Sequence, residues 1–135
     1  MTMTNKQRDV FFGAALAALV LVPLPVMAAD VAGEISTAAT HATLAAQATS
    51  MDGVMMHLHH TINCLVGPGG NGFDAKQINP CAGSGNGAIP DMADAGKKKA
   101  LEDAAATARG GLAATDVATA QKAASDTATQ LKAIK

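Results

Sequence analysis

Three of the four histidines of this chain lie within the stretch MMHLHHTINC, as His57, His59 and His60. Imidazole nitrogens are common ligands of Zn²⁺, Cu²⁺ and Ni²⁺, and a thioether such as that of Met56 adds affinity for Cu⁺. Residues three or four apart share one face of an α-helix. A helix here would pair His57 with His60, or His60 with Met56, but would not bring all three histidines to one ion. With Leu58 facing the core, we expect His60 and Met56 to point away from it.

The fourth histidine, His41, is a candidate for a further ligand. A turn near Ser50 would make the helices on either side of it antiparallel, and His41 lies about as far before that turn as His59 and His60 lie after it. We therefore expect His41 to approach one of His57, His59 and His60. The alternative is that these histidines are polar residues at the boundary of an alanine-rich helix, with no ion between them.

Known catalytic motifs do not accompany these histidines. The chain lacks the His-Glu-x-x-His pattern of zinc proteases and the Cys-x-x-Cys-His pattern of covalent haem attachment. Aromatic residues make up 2% of the chain, so few bulky side chains could line a haem pocket, and we expect no haem. Gly67 to Gly72 fits Gly-x-Gly-x-x-Gly, but that motif binds dinucleotides only between a strand and a helix, and no strand is evident. We therefore predict a binding protein and not an enzyme.

The first residues are typical of an export signal. Lys6 and Arg8 precede an apolar run from Val10 to Val22, and the sequence Val-Met-Ala-Ala that follows suits a signal peptidase. The run is shorter than the roughly 20 residues that a membrane-spanning helix needs, which argues against an anchor. We predict a signal peptide over residues 1–29, a periplasmic or secreted protein, and no membrane association after cleavage.

The two cysteines, Cys64 and Cys81, are expected to form a disulfide. Cysteines of an exported protein most often pair, because the compartment is oxidising. Closing the loop between them should stabilise the fold by about 3 kcal/mol in the chain-entropy model. The alternative is a pair of metal thiolates, whereas a bonded cysteine has no free thiolate for nucleophilic catalysis.

The chain before residue 67 predicts two helices. Apolar residues recur at spacings of three and four from Val31 to Ala45, and again from Met51 to Leu65. Thr49 and Ser50 interrupt the pattern, as residues between two helices do. The expected core stripe of the second helix is Met51, Met55, Leu58, Ile62 and Leu65.

Residues 67–90 are rich in glycine and proline and predict a long loop, which the disulfide would hold in place. Asp91 is the expected cap of a third helix, Gly110-Gly111 its expected stop, and Asp116 begins the last one. Each predicted hairpin has an apolar stripe that it cannot bury alone. We therefore predict an all-α fold, a four-helix bundle of two antiparallel hairpins forming one domain over residues 30–135, with three helices and an unstructured centre as the alternative.

The charge of the chain argues against some partners. The formal net charge is −1 for the whole sequence and near −2 for residues 30–135, with no basic footprint for nucleic acid. The expected partners are therefore metal ions, together with a cell-envelope protein if the loop at 67–90 presents a recognition surface.

One family resemblance can be stated on these residues. The run from His41 to Thr49, HATLAAQAT, together with His57 to His60 and Ile62, resembles the His/Ala-rich helices of the bacterial small metal-binding protein family. The resemblance implies an exported four-helix bundle that binds divalent metals, copper prominently, with His41, His57 and His60 as the ligands.

The second half of the chain differs from that pattern, because Arg109, Lys122 and Ser125 stand where a duplicated unit could carry histidines. One or two sites in the first hairpin are therefore expected. The predicted function is binding or buffering of a transition metal, copper or else Zn²⁺ or Ni²⁺. The alternative is a structural or interaction protein of the envelope whose disulfide-bound loop contacts a partner and which binds no specific metal.

Overall fold

A computed structural model describes residues 28–134, which contain helices and no strand. The helices are α1 (Val31–Gln47), α2 (Met51–Val66), α3 (Ala88–Asp91), α4 (Ala95–Leu112) and α5 (Val117–Ala133). The all-α prediction is confirmed. The predicted signal peptide falls, except for its last two residues, outside the described part of the chain. Within residues 28–134, no helix combines the length and the hydropathy that crossing a bilayer requires.

The four long helices each begin at a side-chain cap. The cap residues, whose side-chain oxygens accept a hydrogen bond from a backbone N–H three residues later, are Asp30, Ser50, Asp94 and Asp116. The prediction that Asp91 caps a helix is wrong. Asp91 ends the short helix α3, and its carboxylate accepts hydrogen bonds from the backbone N and the Nδ2 of Asn86. α4 begins only at Ala95, after a three-residue link, and so starts later than Asp91, where the sequence predicted it.

The helix stop predicted at Gly110-Gly111 is early by one residue, because α4 continues to Leu112. Gly111 is buried, and a Cβ atom on it would lie 2.8 Å from Leu58 Cδ1 and 3.0 Å from Ala123 Cβ. Ordinary side chains do not approach so closely, so glycine is needed where α4 crosses α2 and α5. The residue that the sequence marks as a helix terminator acts here in helix packing.

The core is built from small residues. α1 packs against α2 and α5, and α4 packs against α5 and α2. The large side chains that are completely buried include Val54, Leu58, Ile62, Leu65, Leu101 and Leu131, and most other core positions are alanines. Val54 takes the buried position on α2 that the predicted stripe gave to Met55, which is only partly buried. Alanine faces allow close helix approach, but each contact buries little apolar surface.

The segment between α2 and α3, residues 67–87, is tied to the end of α2. The predicted disulfide is present, with the Sγ atoms of Cys64 and Cys81 2.08 Å apart. Asn63, which is completely buried, holds the same segment: its Oδ1 accepts from the backbone N of Asp74 at 2.9 Å, and its Nδ2 donates to the carbonyls of Asp74 at 3.0 Å and Ile78 at 3.2 Å. The loop is therefore shorter than predicted, because α3 occupies its last residues. It is held to α2 by both a covalent bond and a buried amide.

A buried acid joins α1 to the far end of this segment. Glu34 has no exposed surface; its Oε1 accepts a hydrogen bond from Gly87 N at 3.0 Å, while its Oε2 has no hydrogen-bond partner. Burial raises the pKa of Glu34; the Gly87 hydrogen bond opposes this effect, and the nearby carboxylates of Asp91 and Asp30 add to it. The hydrogen bond fixes the end of the loop on α1, but the carboxyl group that makes it lies in a buried environment that disfavours its ionised form.

Candidate metal centre

The short turn between α1 and α2 brings three histidines of the two helices together. The helices are antiparallel, with His41 of α1 beside His57 and His60 of α2. The ring centroid of His41 lies 5.4 Å from that of His57 and 5.1 Å from that of His60, and the rings of His57 and His60 are 5.7 Å apart. The three imidazoles thus form a closed triangle across the helix pair, whereas the spacing relative to Ser50 predicted only that His41 would approach one of His57, His59 and His60.

The ring nitrogens lie at distances that suit a shared ion. His41 Nδ1 and His57 Nδ1 are 3.2 Å apart. Two nitrogens bound to one tetrahedral zinc ion at about 2.0–2.1 Å would be about 3.3 Å apart. One nitrogen from each of His41, His57 and His60 can be chosen so that all three lie within 4.8 Å of one another. Small side-chain rotations would therefore bring the third nitrogen to coordination distance.

The surroundings keep two of these imidazoles neutral. Burial lowers the pKa of His41, and the neighbouring rings of His60 and His57 lower it further. Burial likewise lowers the pKa of His60, with smaller contributions from His57 and His59. A neutral imidazole has a free lone pair on one ring nitrogen, which is the form that binds a metal. His41 and His60 are therefore in their ligand form near neutral pH.

His60 has an unsatisfied polar atom. Its side chain is 6% exposed, and its Nδ1 is buried without a hydrogen-bond partner. A buried polar atom without a partner destabilises a fold by about 1–3 kcal/mol. The expectation that His60 points away from the core is wrong. α2 is covered on two sides, by α4 and α5 around Leu58 and by α1 around His60, and a single apolar stripe did not indicate the second side.

The other two predicted ligands lie outside the three-histidine group. His59 is on the flank of α2 that faces the disulfide-linked segment, with its Nδ1 3.6 Å from Asp74 Oδ2. That distance suits an ion pair when the imidazole is protonated. Met56 is one helical turn before His60 and 40% exposed. Of the candidate ligands, the structure brings His41, His57 and His60 together, and a ligand role for His59 or Met56 stays a prediction.

A threonine that sequence reasoning missed lies between the two helices beside the site. The Oγ1 of Thr61 lies 2.9 Å from the carbonyl oxygen of His57 and 3.4 Å from that of Ala38, which belongs to α1. Thr61 is completely buried, and its one hydroxyl proton suits the shorter contact within α2, while the longer contact places it at the limit of hydrogen-bond distance from α1. The only sequence signal for this role is a threonine one turn after His57, at a position adjoining the apolar stripe.

The fold and the site together define a class: an all-α, disulfide-linked protein with a three-histidine group that could hold a transition-metal ion. Comparison of the chain with protein-family models, with curated proteins and with solved structures finds no match in any of the three. The resemblance to the small metal-binding protein family therefore stays a prediction.

Proposed function

We propose that this protein binds and buffers a transition metal, with copper as the preferred ion, through His41, His57 and His60. The observation that carries the proposal is the convergence of three imidazoles from two helices, one nitrogen of each within 4.8 Å of the others. Such a group has no need to assemble from distant elements, because a three-residue turn fixes the two helices that hold it. A preformed site loses less conformational entropy when the ion binds.

The donor set favours a borderline metal over a hard cation. Imidazole nitrogens suit Zn²⁺, Cu²⁺ and Ni²⁺, whereas Ca²⁺ and Mg²⁺ require several oxygen ligands. Among divalent first-row ions, Cu²⁺ binds most tightly to a given set of nitrogen ligands. The thioether of Met56, one turn from His60, would add affinity for Cu⁺ if it approached the ion. These arguments support copper as the preferred ion, with Zn²⁺ and Ni²⁺ bound more weakly at the same site.

The proposal includes the setting of the site. The disulfide Cys64–Cys81 is consistent with an oxidising, non-cytoplasmic compartment. Together with the predicted signal peptide it supports export to the periplasm or the exterior. The four long helices, packed in the order α2, α1, α5, α4, support assignment to the four-helix bundles. In that setting the protein would hold metal as a binding protein, and we propose no catalytic step for it.

The test is metal titration of the exported protein, prepared without a histidine tag. Calorimetry with Cu²⁺, Zn²⁺ and Ni²⁺ should find one ion per chain, with Cu²⁺ binding most tightly. Replacing His41, His57 and His60 with Ala should abolish this binding. The matched control is His59→Ala, which removes a histidine of the same helix outside the group and should leave the titration unchanged.

Two outcomes would contradict the proposal. Equal, weak titrations for the unaltered protein and the triple variant would mean that the three imidazoles bind no ion, and the interaction-protein alternative would then be preferred. Loss of binding in His59→Ala, with the triple variant unaffected, would place the site elsewhere on α2.

A further inference from the structure

The three-histidine group is too small to complete the coordination of a divalent ion. Zn²⁺ takes four ligands in most protein sites, and Cu²⁺ and Ni²⁺ with nitrogen ligands take four or more. Among residues 28–134, no fourth histidine, cysteine or carboxylate side chain joins His41, His57 and His60. At least one position on a divalent ion must therefore be filled by something other than these donor types.

The exposure of the ligands indicates the side on which that position lies. His60 is buried at the back of the group, whereas His41 and His57 are only partly buried. An ion held by all three would have protein behind it at His60 and the protein surface beyond His41 and His57. The position left free would therefore face solvent and could exchange its ligand without opening the helix pair.

The charge of the site determines which ligand that position favours. The three proposed ligands are imidazoles, which bind a metal in their neutral form and so bring no negative charge to the ion. No carboxylate belongs to the group among residues 28–134, and the acid that does lie beside a histidine of α2, Asp74, is paired with His59 outside the group. A divalent ion would keep most of its positive charge, which favours an anion as the next ligand.

We propose that a divalent ion bound by His41, His57 and His60 keeps a solvent-facing coordination position that takes water or a small monovalent anion. This inference rests on the proposed metal binding and goes beyond it by naming the class of exchangeable ligand. Such a position makes the site suited to exchange, because an incoming ligand can bind the metal before any histidine has left it. A closed, four-ligand protein site offers no such route.

One side chain of the protein is an alternative ligand for this coordination position. Met56 lies one turn before His60, and residues four apart on a helix are neighbours. Met56 is 40% exposed, so its side chain has room on the solvent side to change rotamer. A sulfur ligand would make the site closed and less receptive to anions. The experiment must therefore distinguish an open position from one that Met56 fills.

The test is azide titration of the Cu²⁺-loaded protein, freed of unbound copper by dialysis. Azide bound to Cu²⁺ gives a ligand-to-metal charge-transfer band, and the electron paramagnetic resonance spectrum of the ion reports the accompanying change in its coordination. We expect a saturable band with one azide per copper and full retention of copper on the protein. The variant Met56→Leu removes the sulfur and keeps the apolar bulk, and it should give the same titration.

Each other outcome has a defined meaning. Tight copper binding with no response to azide would show a closed site and overturn the inference alone. A response that appears only in Met56→Leu would show that the thioether occupies the position, which also overturns it. Failure of the unaltered protein to retain copper on dialysis would overturn the proposed function and this inference with it. The triple variant with His41, His57 and His60 changed to Ala, treated in the same way, controls for azide bound to stray copper.

Discussion

Replacing Gly111 with alanine should destabilise the protein, whereas the same change at the adjacent Gly110 should stabilise it. Both glycines lie in the last turns of α4, where alanine is the better helix former by up to about 1 kcal/mol. A Cβ atom on Gly110 would have nothing within 4 Å. Its substitution should therefore deliver most of the helix-propensity gain, about 0.5–1 kcal/mol.

At Gly111 the same gain is opposed by overpacking. The added Cβ would lie 2.8 Å from Leu58 Cδ1, and Leu58 is completely buried and cannot turn toward solvent. It would also lie 3.0 Å from Ala123 Cβ, which is fixed to the backbone of α5. Inserting a methyl group into a packed core destabilises a fold by about 1–3 kcal/mol. The net loss should be about 1–2 kcal/mol, so the two variants should differ by about 2 kcal/mol.

Urea unfolding followed by far-ultraviolet circular dichroism measures this difference. The unaltered protein and the two variants should share one m-value, so that the midpoints report stability directly. Equal midpoints for Gly110→Ala and Gly111→Ala would refute the close approach of α4 to Leu58. So would a Gly111→Ala protein more stable than the unaltered one.

Three further outcomes are expected. Changing both Cys64 and Cys81 to Ser should lower the free energy of unfolding by about 3 kcal/mol, because the 18-residue loop that the disulfide closes is then open in the unfolded state. Chemically reduced protein, unfolded in urea, should show the same loss. A change near zero would count against a stabilising role for the bond. Glu34→Gln should raise the thermal midpoint at pH 8 and leave it unchanged below pH 4.5. Because the pKa of Glu34 is raised in the folded protein, the stability that its protonated form gives is present below the ordinary pKa of 4.5 and is lost as the pH rises through the pKa of the folded state. An equal effect at both pH values would exclude a charge origin. Above pH 6.5, protons should not compete with copper at His41 and His60, because their lowered pKa values keep both imidazoles neutral down to and somewhat below the ordinary value of 6.5. Copper affinity, measured by competition with a chelator, should fall only at lower pH. An affinity that falls steadily from pH 8 would contradict this.

Much of the first hairpin could be predicted from the sequence. The apolar spacing and the cap residue Ser50 define α1, α2 and the turn between them, and a short turn forces antiparallel packing. That register predicts that His41 approaches one of the histidines of α2, but it does not indicate that both His57 and His60 are close to it. The pairing of Cys64 with Cys81 was predictable for another reason, since a chain with two cysteines has only one intramolecular disulfide to form.

The features that sequence reasoning missed depend on neighbours distant in the chain. Glycine breaks helices in isolation, and nothing local indicates that α2 and α5 come close enough to require it at Gly111. The burial of His60 depends on α1 covering a second side of α2, which the stripe around Leu58 did not reveal. Asn63 reads as one more polar residue near a helix end, although its amide makes hydrogen bonds to a segment more than ten residues away.

The position of the two links along the chain has a consequence for how the molecule opens. An ion bridging His41 and His57 would join residues 16 positions apart, and the disulfide joins residues 17 positions apart, yet neither link reaches α4 or α5. The amide hydrogens of α4 and α5 should then exchange with solvent through partial openings of lower free energy than those that expose α2. A molecule in which α4 and α5 have transiently unfolded would still hold the metal ion between α1 and α2. Release of the ion would therefore follow ligand substitution at the metal and not partial unfolding of the protein.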